Sequence, residues 1–126
     1  MKNTTLRIAV GATGVLLLFL ALVAWTDPTR LGGKLGIGAA TALGMATLRA
    51  DLGAFFATAG VLALLAAVRR APGFLTAPLM LMSLALAGRL AALAVTPFDS
   101  AMIPPMVAEA VMVAVFAAGR FMRAAS

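Results

Sequence analysis

The sequence has no cysteine, no histidine and no tyrosine among its 126 residues. Without cysteine there are no disulfides, thiolate metal sites or cysteine nucleophiles. Without histidine the chain lacks the commonest metal ligand and the side chain best suited to proton exchange near neutral pH. Acid–base chemistry would have to use three aspartates, one glutamate and water. We therefore expect neither a metal site nor a cofactor.

Charged residues are also scarce, at 11% of the chain, whereas 63% of the residues are hydrophobic. A soluble domain has about 25% charged and about 45–50% apolar residues. This composition cannot cover a water-exposed surface without large apolar patches. A membrane-spanning helix needs roughly 20 apolar residues, so four spans would use nearly the whole chain. The sequence predicts an all-α, polytopic membrane protein, a single domain over 1–126 folded as a four-helix transmembrane bundle.

Four apolar segments are the predicted spans, and they cover about 6–25, 43–68, 74–95 and 102–121. The first is longer than the roughly 7–15 residues of a signal-peptide core, so we expect it to be retained as a helix. A glycine-rich segment follows it. One helix over 31–68 would be roughly 57 Å long, against a hydrocarbon core of roughly 30 Å. We therefore expect 31–42 to lie at the surface as a loose helix or irregular chain.

The basic residues indicate topology. The net charge is +6, but no basic cluster is interleaved with aromatic residues, so we expect no nucleic acid partner. With four spans, two basic residues, Arg30 and Lys34, lie on one side. Six lie on the other: Lys2, Arg7, Arg69, Arg70, Arg120 and Arg123. Basic loops stay in the cytoplasm. We expect a multi-pass protein of the inner (plasma) membrane with both termini cytoplasmic.

Four ionisable residues, Arg49, Asp51, Arg89 and Glu109, lie within the predicted spans or at their edges. Charges at membrane depth cost several kcal/mol unless they are paired or hydrated, and by default they indicate function. The helix rise puts Arg89 roughly 12 Å and Glu109 roughly 10 Å below the outer ends of spans three and four. Because these spans are antiparallel neighbours, we predict an Arg89–Glu109 ion pair.

Arg49 and Asp51 lie on the second span, about 200° apart around the helix axis. They cannot both face one partner. We expect Asp51 to face the bundle and approach Arg89. Arg49 would then extend toward the interface or reach across an outer cavity. The periodicity also allows the opposite assignment.

Met106 and Met112 lie one turn to either side of Glu109. A deformable methionine wall suits an irregular apolar ligand, and it also suits gap filling in a packed bundle. In the first interpretation, Arg49, Asp51, Arg89, Glu109, Met106 and Met112 form a ligand site. If the site is enzymatic, Glu109 and Asp51 are the candidate acid or base.

These residues resemble a known family. The stretch 48–56, then Ala87-Gly88-Arg89, then Glu109 is similar to small four-helix bacterial membrane proteins of the domain-of-unknown-function 4345 family. The resemblance covers about 5–122. The sequence departs from the family pattern at Ala54 and Ser100, where the family often has glycine. The resemblance implies the four-helix fold and the site residues, and it implies no activity.

Three functions fit these observations. The first is binding, or conversion, of a lipophilic molecule in the outer half of the bilayer. The second is a structural or accessory subunit, whose ion network sets helix packing and assembly, with a homo-oligomer as one form. The third is an ion- or proton-coupled transporter, for which span one lacks the acidic residue that comparable four-helix transporters carry there.

Overall fold

The computed structural model describes residues 3–122, which fold into five α-helices and two short 3₁₀ turns. The helices are α1 (Thr4–Thr26), α2 (Pro28–Lys34), α3 (Ala42–Arg69), α4 (Thr76–Ala92) and α5 (Ile103–Phe121). The 3₁₀ turns, Pro72–Leu75 and Ser100–Met102, precede α4 and α5. The predicted all-helical class is confirmed. Four of the helices are long and apolar enough to cross a membrane, which indicates a multi-pass membrane protein.

Side-chain caps define where the first three helices begin. The Asn3 side chain accepts a hydrogen bond from the Leu6 amide at 3.0 Å, and Thr41 Oγ1 accepts one from the Gly44 amide at 3.0 Å. Asp27 accepts from the Arg30 amide at 3.3 Å and is followed by Pro28 in the first turn of α2. Each cap satisfies an amide that has no partner within its helix.

The glycine-rich segment divides into a helix and an irregular connection. The helix α2 begins at Pro28, earlier than the expected start of this segment at residue 31. Gly36, at φ +73°, ends it, because the left-handed conformation costs glycine little. The amides of Ile37 and Gly36 return to the carbonyls of Gly32 and Gly33, at 2.7 and 3.3 Å, in a Schellman motif. Residues 37–41 then lead to α3 without helical structure.

The closest helix contact joins α1 and α3, which run antiparallel. Near its middle, a Cβ built on Gly60 would lie 2.9 Å from the carbonyl oxygen of Gly14. At one end, Arg7 Nε donates to the carbonyl oxygen of Ala67 at 3.0 Å. At the other end, the Trp25 ring packs over Gly53, where no Cβ could fit. Small residues thus bring the two backbones together, as is common in membrane helices.

The helices α4 and α5 are also antiparallel. Arg120 Nε donates to Thr76 Oγ1 at 3.1 Å, which joins the start of α4 to the end of α5. At its other end, α4 stops earlier than the sequence predicts: regular helix ends at Ala92 and not near residue 95. Beyond Ala92, the amides of residues 93–95 bond to carbonyls three residues back, and the amide of Leu93 is shared with the carbonyl of Arg89. Pro97 follows, and it disfavours helical conformation at the residue before it.

The antiparallel pairs separate the charges into two ends. Arg7, Arg69, Arg70 and Arg120 lie at one end of the molecule, where α1 begins and α3 turns into α4. Asp27, Arg30, Lys34 and Asp99 lie at the opposite end, with α2. Lys2 and Arg123, counted in the topology prediction, lie outside the described residues. The largest fully buried side chains include Leu17, Met82 and Phe116 between the ends and Leu75 in the turn at the basic end.

Candidate functional site

Arg89 and Glu109 form an ion pair between α4 and α5, as the sequence predicted. Arg89 Nε lies 2.8 Å from Oε1 and 2.9 Å from Oε2 of Glu109. The pair is partly buried, with 14% of the Glu109 side chain and 34% of the Arg89 side chain exposed. Because α4 ends at Ala92, Arg89 lies within the last turn of regular helix, closer to the helix end than the expected 12 Å.

The geometry of this pair leaves the terminal guanidinium nitrogens of Arg89 out of the contact with Glu109. Both hydrogen bonds from Arg89 to Glu109 leave from Nε. A guanidinium has five N–H donors, four of them on its terminal nitrogens. Within residues 3–122 these terminal nitrogens have no hydrogen-bond partner. They are not fully enclosed either, because that part of the chain has no buried side-chain nitrogen or oxygen without a partner. The terminal nitrogens therefore retain donors for a further acceptor.

The pair lines a cavity of about 720 Å³ between the helices. This volume lies within the range of roughly 300–1,000 Å³ that is usual for small-molecule sites. Three of the described residues on the cavity wall are charged: Lys34, Arg89 and Glu109. The other side chains on the wall are apolar, and they include Leu20, Leu52, Phe55, Phe56, Met82 and Met112. A mostly apolar cavity with a few convergent polar groups is the usual form of a ligand site.

The helix α2 contributes a wall of the cavity that sequence reasoning missed. Leu31, Lys34 and Leu35 of α2 line it, together with Ile37 from the turn that follows. The signals were present in the sequence. Asp27-Pro28 is a helix start, Gly36 is a helix stop, and the spacing of Leu31, Lys34 and Leu35 places all three on one helix face.

Asp51 does not approach Arg89, so that prediction is wrong. Asp51 is exposed, and within residues 3–122 its side chain has no ion pair or hydrogen bond. The reason is the rotation of α3 about its axis. Gly53 packs against Trp25 of α1, and Asp51 lies about 200° around the helix from Gly53. The contact with α1 therefore turns Asp51 away from α1, and Asp51 lies at the edge of the cavity-lining face of α3, about 100° around the helix from Leu52.

Arg49 is exposed as well and does not line the cavity. The predicted reach of Arg49 across the cavity is therefore wrong, and its exposure agrees with the alternative, extension toward the interface. No charged side chain within residues 3–122 is fully buried. Of the four charged residues expected from the sequence, Arg89 and Glu109 line the cavity, and Lys34 lines it as well.

The two candidate methionines have different surroundings. Met112 is buried, belongs to the hydrophobic core and lines the cavity. Met106 is half-buried and is not among the lining residues. On α5 the lining face follows Pro105, Ala108, Glu109 and Met112, whereas Met106 lies about 100° around the helix from Pro105. Of the two candidates, Met112 alone lines the cavity, and Met82 of α4 with Phe55 and Phe56 of α3 completes the apolar wall.

The donor set of this site suits a charged or polar head on an apolar body. Within residues 3–122, no three carboxylate, imidazole or thiol side chains come together as a metal site would require. The residues on the wall include one carboxylate residue, Glu109, one arginine with spare donors, Arg89, and one exposed lysine, Lys34, beside a large apolar surface. Among residues 3–122, Glu109 is the only carboxylate residue on the cavity wall.

No protein-family model, curated protein or solved structure matches this chain. The similarity to the domain-of-unknown-function 4345 family remains a prediction from the motifs.

Proposed function

We propose that this protein is a four-helix bundle of the bacterial inner membrane that binds a lipophilic ligand or substrate. In this proposal α1, α3, α4 and α5 span the bilayer, and the glycine-rich segment with α2 lies at its outer surface. Both termini are cytoplasmic, which is supported by the basic residues at the end opposite α2. The ligand site then lies in the outer half of the bilayer, with access from the outer leaflet.

The observation that carries the proposal is the cavity of about 720 Å³ with the Arg89–Glu109 pair in its wall. A pair that only fixed helix packing would need no space beside it. Here the apolar walls supply a surface for the body of a lipophilic molecule, and burial of that surface drives binding by roughly 25 cal/mol per Å². The charged pair supplies orientation for its head.

The role of the pair can be stated by residue. Arg89 holds Glu109 through Nε and keeps the terminal nitrogens for the ligand. Glu109 accepts these bonds and fixes the guanidinium plane at the cavity wall. If the protein is an enzyme, Glu109 is the candidate acid or base. Asp51, the other candidate from the sequence, lies outside the cavity.

The experiment fills the cavity with a larger side chain and measures the loss of the bound lipophilic molecule. The protein is purified in a neutral maltoside detergent, and co-purified lipophilic molecules are extracted and quantified by mass spectrometry. Ala85 lines the cavity, so Ala85→Trp should exclude the ligand. Ala91 is exposed on the same helix and does not line the cavity, so Ala91→Trp is the matched control. We expect a molecule that is enriched with wild type and Ala91→Trp and depleted with Ala85→Trp.

The opposite result supports the alternative function, a structural or accessory subunit. If no molecule is enriched with wild type, and light scattering finds a stable homo-oligomer, the Arg89–Glu109 pair is best explained as a packing contact. The pair itself favours this alternative, because it joins α4 to α5 whether or not the cavity is filled.

A further inference from the structure

The charges on the cavity wall do not balance. Arg89 and Glu109 neutralise each other, and Lys34 adds one positive charge. Arg30, which also lies on α2, does not line the cavity, and it forms an exposed ion pair with Asp27 at 3.6 Å. Among the described residues, the wall of the cavity therefore has a net charge of +1.

Hydrogen-bond donors also outnumber acceptors on the polar part of the cavity wall. Lys34 has three N–H donors and no acceptor, and the terminal nitrogens of Arg89 have four more donors. Both carboxylate oxygens of Glu109 already accept from Arg89 Nε. The polar part of the wall thus offers mainly donors, with excess positive charge, beside apolar side chains; Lys34 is exposed and Arg89 is partly buried. A hydrogen bond from a charged donor to a charged acceptor is roughly twice as strong as a bond between neutral groups, so this wall favours an anion.

We infer that the occupant of the cavity is an amphiphile with a single negative head group, held by the terminal nitrogens of Arg89 and by Lys34 of α2. The inference rests on the proposed function and adds the class of ligand to it. The head lies between α4 and α2, and the apolar body extends along Phe55, Phe56 and Met112. Lys34 is the residue that distinguishes an anionic from a neutral ligand, because Arg89 is partly neutralised by Glu109.

The test compares two molecules that differ in the head group alone. Binding of tritiated oleate and of tritiated oleyl alcohol is measured by scintillation proximity on the protein in neutral maltoside detergent at pH 8. The Ala85→Trp variant defines non-specific binding. We expect wild type to bind oleate more tightly than the alcohol. Lys34→Gln should weaken oleate binding about tenfold, the effect of one charge-assisted contact, and should leave binding of the alcohol unchanged.

Two further variants sharpen the result. Arg30→Gln removes a basic residue from the same short helix without touching the cavity, and it should leave binding of oleate unchanged. Lys34→Glu should weaken oleate binding further than Lys34→Gln does. An equal loss in Arg30→Gln would mean that the surface potential, and not the site, selects the anion, and it would overturn the inference.

The failure of this inference is distinguishable from the failure of the proposed function. If oleate and oleyl alcohol bind equally well above the Ala85→Trp background, and Lys34→Gln changes neither, the anionic head group is refuted while lipophile binding stands. If neither molecule binds above that background, and no lipophile is enriched on purification, both proposals fall.

Discussion

At the scale of single residues, Arg89 and Glu109 are expected to depend on each other for stability. We predict that Arg89→Gln and Glu109→Gln each destabilise the protein by about 1–3 kcal/mol, because each leaves a partly buried charge without its partner. The double variant should recover much of this loss. Thermal unfolding in mild detergent, followed by circular dichroism, gives the coupling free energy from the four proteins.

The control for this cycle is the Arg30–Asp27 pair, whose side chains are 73% and 53% exposed. Exposed pairs contribute between zero and about 1 kcal/mol. Asp27→Asn keeps a residue that caps α2, so the cycle of Arg30→Gln with Asp27→Asn tests charge alone. If the effects at Arg89 and Glu109 simply add, as they should in the control, the contact between the two residues is refuted.

The Arg89–Glu109 pair could be predicted from the sequence, whereas the exposure of Asp51 could not. The Arg89–Glu109 pair could be predicted because helix rise and a short connection fix the positions of both residues along their axes. The exposure of Asp51 could not be predicted in this way, because the direction of its side chain depends on the rotation of α3 about its own axis. In a soluble helix an apolar stripe reveals that rotation, whereas a membrane helix is apolar on every side. The available signal was the small residues Gly53 and Gly60, which mark the face toward a neighbour.

At the scale of helices, the contact between α1 and α3 should tolerate no added atom at its closest point. We predict that Gly60→Ala destabilises the protein by about 1–3 kcal/mol, because its Cβ would lie 2.9 Å from the Gly14 carbonyl oxygen and 3.0 Å from the Leu18 amide nitrogen. These are backbone atoms, so two helices must move apart. Thermal unfolding in detergent measures the loss.

Gly11→Ala is the control in this interface. A Cβ at Gly11 would meet the Cβ of Ala67 at 3.6 Å, an ordinary van der Waals distance. Alanine is the better helix former by about 0.8–1.0 kcal/mol, so this variant should be as stable as wild type or more so. Equal destabilisation by both substitutions would contradict the packing of Gly14 on Gly60.

The bounds of the short helix α2 can be predicted from the sequence, but its position over the cavity cannot. Its bounds follow from Asp27, Pro28 and Gly36, and each of these signals is local in the sequence. Its position over the cavity is not local, because it depends on where α3, α4 and α5 leave space. For this reason the sequence indicates Lys34 only as a topology signal, whereas the structure places it on the cavity wall.

At the scale of the whole molecule, the two ends differ in both charge and form. The end with Arg7, Arg69, Arg70 and Arg120 has a tight turn between α3 and α4. The opposite end has α2, the longer connections and, on the wall beneath α2, the charged residues of the cavity. If the basic end faces the cytoplasm, the cavity faces the outer leaflet, and its ligand comes from that side. The orientation therefore determines which pool of molecules the site can meet.

Orientation can be measured directly because the chain has no cysteine, so a single introduced thiol has no background. Ser100 lies at the end with α2, and Gly73 lies in the turn at the basic end. Both are exposed, and a Cβ at Gly73 would meet no atom within 4 Å. We predict that a membrane-impermeant maleimide labels Ser100→Cys in intact cells and labels Gly73→Cys only after the cells are permeabilised. The reverse pattern would place the cavity toward the cytoplasmic leaflet and refute access from the outer one.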